Sequence, residues 1–261
     1  MTRRPLVAGN WKMNKTPQET QEFIERFLER SAVGHDLDIL LLPPFTSLDR
    51  AGRLLAGSGI DLGGQDLHPA VSGAFTGAVS AGMLVDCGCS HVLVGHSERR
   101  HLFGDADGDV NAKLHAALDA GLRPILCVGE TLDERKAGRT TAVLGRQLEG
   151  GLDGVDVDAM TPIVIAYEPV WAIGTGETAT PDQAQEAIAF LRERLANRFG
   201  AACAEATRIL YGGSVKPSNA RDLQTQPDID GALIGGASLD PESLAQIVEA
   251  ARAAGQGDEV C

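Results

Sequence analysis

Short β-branched or Leu-rich runs recur along this chain, each ending in glycine or polar residues and giving way to a stretch rich in Ala, Leu, Glu and Arg at helical spacing. The repeat length is roughly 30 residues, and it restricts the possible folds more than any other feature of the sequence. Runs at 6–10, 38–42, 60–63, 91–94, 124–128, 163–167, 208–211 and 232–234 read as strands, eight in all. Helices fit between and after them. One is expected at 17–31 with Thr16 as N-cap and Pro17 in the first helical position, others at 106–120, at 181–199 with Thr180 as cap, and at 241–253 with Asp240 as cap. Further helices are expected after Thr46, Val79, Thr131 and Lys216. Strand–helix alternation requires parallel pairing with right-handed crossovers. Eight such units in about 250 residues predict a (β/α)₈ barrel, a closed eight-stranded parallel sheet with the helices outside.

An open doubly wound sheet is the alternative, and one string bears on it. Gly174-Thr-Gly-Glu-Thr-Ala179 matches the spacing of a dinucleotide fingerprint, but it begins well past the end of its strand and lacks the tight strand-to-helix turn that the fingerprint needs. Asp105-Ala-Asp107-Gly-Asp109 starts like a calcium loop. Val110 stands where the glycine belongs and Ala116 where the bidentate Glu belongs, so it reads as the start of a helix.

No Pro/Ser-rich linker or composition break divides the 261 residues, so a single domain over 1–261 is expected, with 255–261 a frayed polar tail. With 43% hydrophobic residues the chain can build a sizeable core. A net charge of -13 argues against nucleic acid as a partner. The same charge repels a small anion at long range, so any phosphate site must be made locally from backbone N–H groups and one or two cations. The amino end carries no apolar segment of signal-peptide length, and nowhere does an apolar run approach the ~20 residues that span a bilayer. A cytoplasmic protein without a membrane partner is expected. The cysteines Cys87, Cys89, Cys127, Cys203 and Cys261 lack metal-finger spacing and are expected as free thiols.

In a parallel barrel, function gathers at the carboxyl ends of the strands. There the sequence places Asn10 and Lys12 after the first strand, His96 and Glu98 after the fourth, and Glu168 after the sixth. Gly212-Gly213-Ser214 follow the seventh, and Gly235 and Gly236 the eighth. Each has a plain structural reading: Lys12 as a solvated lysine, 96–100 as a charged helix start, the glycine pairs as turns. Glu168 resists one, because a carboxylate directly after the apolar run 163–167 is costly to bury unpaired. A base, an electrophile, a cation and two Gly-rich loops thus fall on one predicted face.

Several strings along that face are distinctive. Val7-Ala-Gly-Asn-Trp-Lys-Met-Asn14, Gly73-Ala-Phe-Thr-Gly77, Val94-Gly-His-Ser-Glu-Arg99, Ala166-Tyr-Glu-Pro-Val-Trp-Ala-Ile-Gly-Thr-Gly176, Tyr211-Gly-Gly-Ser-Val215 and Gly235-Gly-Ala-Ser238 resemble the signature segments of the triosephosphate isomerase family, in that family's order and over nearly the whole chain. The resemblance implies an aldose–ketose isomerase of glycolysis and gluconeogenesis, converting D-glyceraldehyde 3-phosphate and dihydroxyacetone phosphate into each other through an enediolate, with no metal and no redox cofactor. It implies Glu168 as the base that moves the carbon-bound proton and His96 as the neutral electrophile. It implies Asn10 and Lys12 as groups that stabilise enediolate and phosphate, with Glu98 beside Lys12. Gly174, Ser214, Gly235 and Gly236 then donate backbone N–H groups to the phosphate. Pro169, Trp171, Ile173 and Thr175 belong to a lid over 169–179, with Tyr211 holding it. A homodimer is implied, its loop 65–80 inserting into the neighbouring subunit with Thr76 near the tip.

Ala78 stands where relatives usually have Glu, Asp66 where Asn is common and Glu177 where a basic residue is frequent, so the first two put dimer strength in question. Two other functions fit a barrel with these residues. A Schiff-base aldolase or lyase would use Lys12 as its amine, but Glu98 nearby would keep that amine protonated. A catalytically dead scaffold would be expected to lose the base or the lid first, and both are present.

Overall fold

The structure is a computed structural model that describes residues 3–30, 34, 36–173 and 178–255. Its strands are β1 (Leu6–Asn10), β2 (Asp38–Leu42), β3 (Asp61–Gly64), β4 (His91–Val94), β5 (Arg123–Val128), β6 (Val164–Tyr167), β7 (Ile209–Tyr211) and β8 (Gly231–Ile234). Each pairs in parallel with the next, and β8 returns to β1 with Leu6 opposite Gly231, so the sheet closes into the expected barrel. The helices are α1 (Pro17–Arg30), α2 (Leu48–Leu55), α3 (Ala81–Asp86), α4 (Ser97–Leu102), α5 (Asp107–Asp119), α6 (Leu132–Lys136), α7 (Thr140–Gly151), α8 (Pro181–Phe199), α9 (Ala201–Ala206), α10 (Pro217–Gln224) and α11 (Pro241–Gly255). No helix among the described residues is long and apolar enough to cross a membrane.

The strands read as unbroken apolar runs because both of their faces are buried. Alternate residues divide between two cores. Leu6, Ala8, Leu40, Leu42, Ile125 and Val164 belong to a cluster inside the barrel, while Val7, Ile39, Leu41, Leu126 and Ile165 join a larger cluster with the apolar faces of the helices. A one-residue register slip would exchange the two sets, which differ in the volume they fill, so packing specifies the register strongly.

Helix starts follow the predicted side-chain logic. Thr16 and Glu19 bond reciprocally at the start of α1, as Thr180 and Gln183 do at α8, and Asp240 Oδ2 accepts the Ser243 N–H at α11. The string 105–109 is a helix start: Asp109 accepts the Ala106 N–H, and α5 begins at Asp107. Asp105 pairs with Lys113 at 2.5 Å and with Arg99 at 3.3 Å. Asp66 joins the same group, 2.8 Å from Lys113 and 3.2 Å from Arg99, so this departure from the family pattern is an ion-pair partner at the root of loop 65–80. Nothing in the structure explains Ala78.

Candidate active site

The strand ends bring the expected side chains to one cavity of about 520 Å³, whose wall includes Asn10, Lys12, His96, Glu168, Ser214 and Gly235. Asn10 closes β1 and is buried, with its Oδ1 accepting the Lys12 N–H at 3.0 Å. That bond holds Lys12 at a φ of 52°, a left-handed conformation that costs a side-chain-bearing residue about 1 kcal/mol or more. Gln65 Nε2 ties the turn from the other side, donating to the carbonyls of Lys12 at 2.9 Å and Leu42 at 2.8 Å. The ammonium so placed is 2.6 Å from Glu98 Oε1. Glu98 itself is half-exposed and outside the cavity wall, with its other carboxylate oxygen, Oε2, 3.8 Å from His96 Nδ1.

His96 follows β4 and caps α4: its Nδ1 accepts the Glu98 backbone N–H at 3.2 Å. An imidazole nitrogen that accepts a hydrogen bond carries no proton, so this contact favours the neutral ring with its proton on Nε2. That nitrogen is 3.0 Å from Glu168 Oε1. The other carboxylate oxygen, Oε2, accepts the Ser97 N–H at 2.8 Å from the first turn of α4. Glu168 is 2% exposed and His96 5%. Burial alone raises a carboxylate's pKa, but His96, the Ser97 N–H and Lys12 together hold Glu168 below its ordinary value. Burial opposes a charge on His96, but the facing Glu168 carboxylate outweighs it and holds the imidazole pKa above its ordinary value. The helix start disfavours a cation there, and the Glu98 N–H occupies the nitrogen where a second proton would sit.

Backbone packing sets where Glu168 begins. Its N–H donates to Val128 O at 2.8 Å, and at Gly129 a Cβ would lie 1.7 Å from Glu168 O, so only glycine lets β5 and β6 end this close together. Gly212 completes the seat by donating to Tyr167 O at 2.7 Å. Ser214, Gly235 and Gly236 line the cavity as expected.

Of the lid residues, Ile173 reaches the cavity wall, and Pro169 and Trp171 lie between Glu168 and Ile173. Gly174 and Thr175 lie outside the described residues. Tyr211 is buried, and burial pushes its phenol up to about 12 against a smaller lowering by the Ala179 backbone. Cys127 lies in β5, where burial and the nearby Glu168 push its thiol well up. Thr76 is exposed and away from the cavity of its own chain.

Sequence reasoning passed over Glu130, Asn14 and Lys216. Asn14 and Lys216 are in the cavity wall. Glu130 is fully buried and accepts from Trp171 Nε1 at 2.9 Å, Tyr167 Oη at 3.2 Å and Arg135 at 3.3 Å, while the Arg135 guanidinium stacks 4.6 Å over the Trp171 ring. It thereby anchors the segment that leaves Glu168. The signal that marked Glu168, a carboxylate just after an apolar strand, also marks Glu130. No group of three or more His, Cys, Asp or Glu side chains among the described residues is placed to hold a metal ion.

A buried carboxylate 3.0 Å from an imidazole nitrogen, beside a lysine and Gly-rich loops on the carboxyl side of a parallel barrel, defines an acid–base barrel enzyme. A model of the triosephosphate isomerase family matches residues 5–251. The triosephosphate isomerase of Symbiobacterium thermophilum is 53% identical over 249 residues, covering 95% of this chain and 97% of the relative. That of Geobacter metallireducens is 52% identical over 246 residues, 94% of this chain and 98% of the relative. The chain belongs to the triosephosphate isomerase family.

Proposed function

We propose that the chain interconverts D-glyceraldehyde 3-phosphate and dihydroxyacetone phosphate, the aldose–ketose isomerisation of its family, within glycolysis and gluconeogenesis. The observation that carries the reading is the buried Glu168–His96 pair at the cavity, with Lys12 beside it. In the resting site both Glu168 oxygens are occupied, by His96 Nε2 and the Ser97 N–H. A substrate carbonyl oxygen that takes over the His96 Nε2–H frees Oε1 to act as base. Glu168 then removes the proton from the carbon beside the carbonyl, and the electron pair left behind forms the enediolate double bond. His96 Nε2–H and the Lys12 ammonium stabilise the oxygen that gains charge. His96 passes the hydroxyl proton between the two oxygens, and Glu168 returns its proton to the former carbonyl carbon. Carbonyl and hydroxyl exchange places, so no external oxidant or reductant is consumed.

The phosphate is read as resting on the backbone N–H groups of Ser214, Gly235, Gly236 and, in the lid, Gly174, where small residues permit close approach. Asn10 holds Lys12 in place and shares the stabilisation of the enediolate. Pro169, Trp171, Ile173, Thr175 and Tyr211 support the lid. The working form is a cytoplasmic homodimer. Exposed apolar side chains favour this, among them Met13 at 95% and Val71 at 88%, with Phe75, Met83, Leu102 and Phe103 on the loops and helices that follow β1, β3 and β4.

An assay in which glyceraldehyde 3-phosphate is the only carbon substrate, and dihydroxyacetone phosphate is read by coupled NADH oxidation, tests the proposal. Turnover is expected without added metal or nucleotide in the isomerisation step. Folded protein that forms no dihydroxyacetone phosphate would overturn the proposal in favour of a scaffold role.

A further inference from the structure

An imidazole that must deliver one N–H to a substrate oxygen has to be fixed to a fraction of an ångström, and one side chain outside the cavity makes the contacts that fix it. Arg100 lies one helical turn after His96. Its backbone N–H donates to His96 O at 3.1 Å and its Nε donates to Gly95 O at 2.8 Å, so the carbonyls on both sides of His96 are tied to a single residue. Gly95 has a φ of 71°, and a Cβ there would come within 2.9 Å of Arg100 Nη2, so the guanidinium occupies the space beside the turn.

The other two arms of the fork reach different elements. Nη2 donates to Cys127 O at 3.2 Å in β5, next to Val128, whose carbonyl accepts the Glu168 N–H. Nη1 pairs at 2.7 Å with Asp107 Oδ1 in the first turn of α5, and Asp107 Oδ2 is 3.2 Å from Arg146 of α7. The Arg100 side chain is only 8% exposed. It therefore spans the strand end that carries His96 and the strand end that seats Glu168, and Asp107 both neutralises it and holds its far end.

We propose that Arg100 is a positioning residue for the reaction: its planar fork sets the direction of the His96 ring and the spacing between His96 and Glu168, and Asp107 holds the fork in register. A lysine in its place supplies one point charge and cannot serve three acceptors in fixed directions. The claim about rate rests on the isomerase reading; the claim about geometry does not.

Arg100→Lys is the test, read in two ways on the full-length protein. The first is the nitrogen-bound proton of His96 Nε2, followed by NMR on histidine-labelled protein without substrate. It is expected to shift or broaden while circular dichroism is unchanged. The second is kinetics per folded site, where kcat is expected to fall about 10- to 100-fold with KM within about twofold, as for a misplaced catalytic group. Arg100→Ala should be worse than Arg100→Lys in both readings. Should neither variant fold, Asp107→Ala frees the far end of the fork without removing a carbonyl contact and is expected to move the same His96 resonance. An unchanged His96 resonance and unchanged kcat per folded site, with only a lower melting temperature, would overturn the proposal and leave Arg100 as a structural ion pair. A missing activity in the unmutated protein would overturn the isomerase reading alone, and the resonance would still decide the geometry.

Discussion

Glu168 titrates in two different settings, and the difference gives a prediction about pH. In the free site His96, the Ser97 N–H and Lys12 hold its pKa below the ordinary carboxylate value, so kcat/KM should keep its full value down to acid pH on that limb. In the complex the substrate takes the Nε2–H and fills the cavity, removing one stabilising hydrogen bond and excluding water. Both changes favour the protonated carboxyl, so the acid limb of kcat should lie at higher pH than that of kcat/KM. Parallel profiles of the two constants check this, and coincident acid limbs would count against the exchange of partners at His96. Replacing Glu168 with Gln should lower kcat by roughly 10²–10⁴-fold with little change in KM, since an amide cannot take the carbon-bound proton. At this scale the sequence exposed what has a recognisable neighbourhood: Glu168 after an apolar strand, His96 at a helix start, Lys12 after a strand end. It hid what depends on distant partners. Arg100 looks like one more charge in a charged run, and its three acceptor groups lie in 95, 107 and 127.

Elements were legible to the extent that burial writes a period into them. β1, β2 and β4 begin and end where the apolar runs do, and the other strands differ by a single residue at one or both ends. α4 is legible only as a charged helix start at 96–100, because its six residues carry charges at Glu98, Arg99 and Arg100 and no apolar stripe; what defines it is the His96 cap. α9 is separated from α8 by Gly200, whose φ of 91° breaks the helix, and the single predicted helix after Thr131 is two, α6 and α7, with Gly138 at a φ of 67° between them. Capping, by contrast, is stated outright in the sequence. Thr180→Ala removes the hydroxyl that accepts the Gln183 N–H and should destabilise the fold by about 1 kcal/mol. Urea unfolding should show a lower midpoint with an unchanged slope, and the activity of the folded fraction should stay the same.

For the whole molecule the sequence predicted closure from the count of eight, and the exposed apolar side chains after β1, β3 and β4 support the proposed dimer. If loop 65–80 of one subunit enters its neighbour, Thr76→Arg places an unpaired charge in a buried contact, so dimer dissociation should rise by at least tenfold and kcat should fall with it. Sedimentation and activity measured over the same dilution series test this. A fully active monomer of the unmutated protein would end the proposed link between assembly and catalysis.

Closure also has a consequence in time. β1 finds its second partner only in β8, with Leu6 opposite Gly231, so the first strand to leave the ribosome waits for the last. Until then the growing sheet is an open arc with two bare hydrogen-bonding edges, and such edges recruit other strands. Those edges stay bare until β8 is in place. Joining β8 to β1 then removes both edges in a single event, and after that the ring has no first strand and no last one.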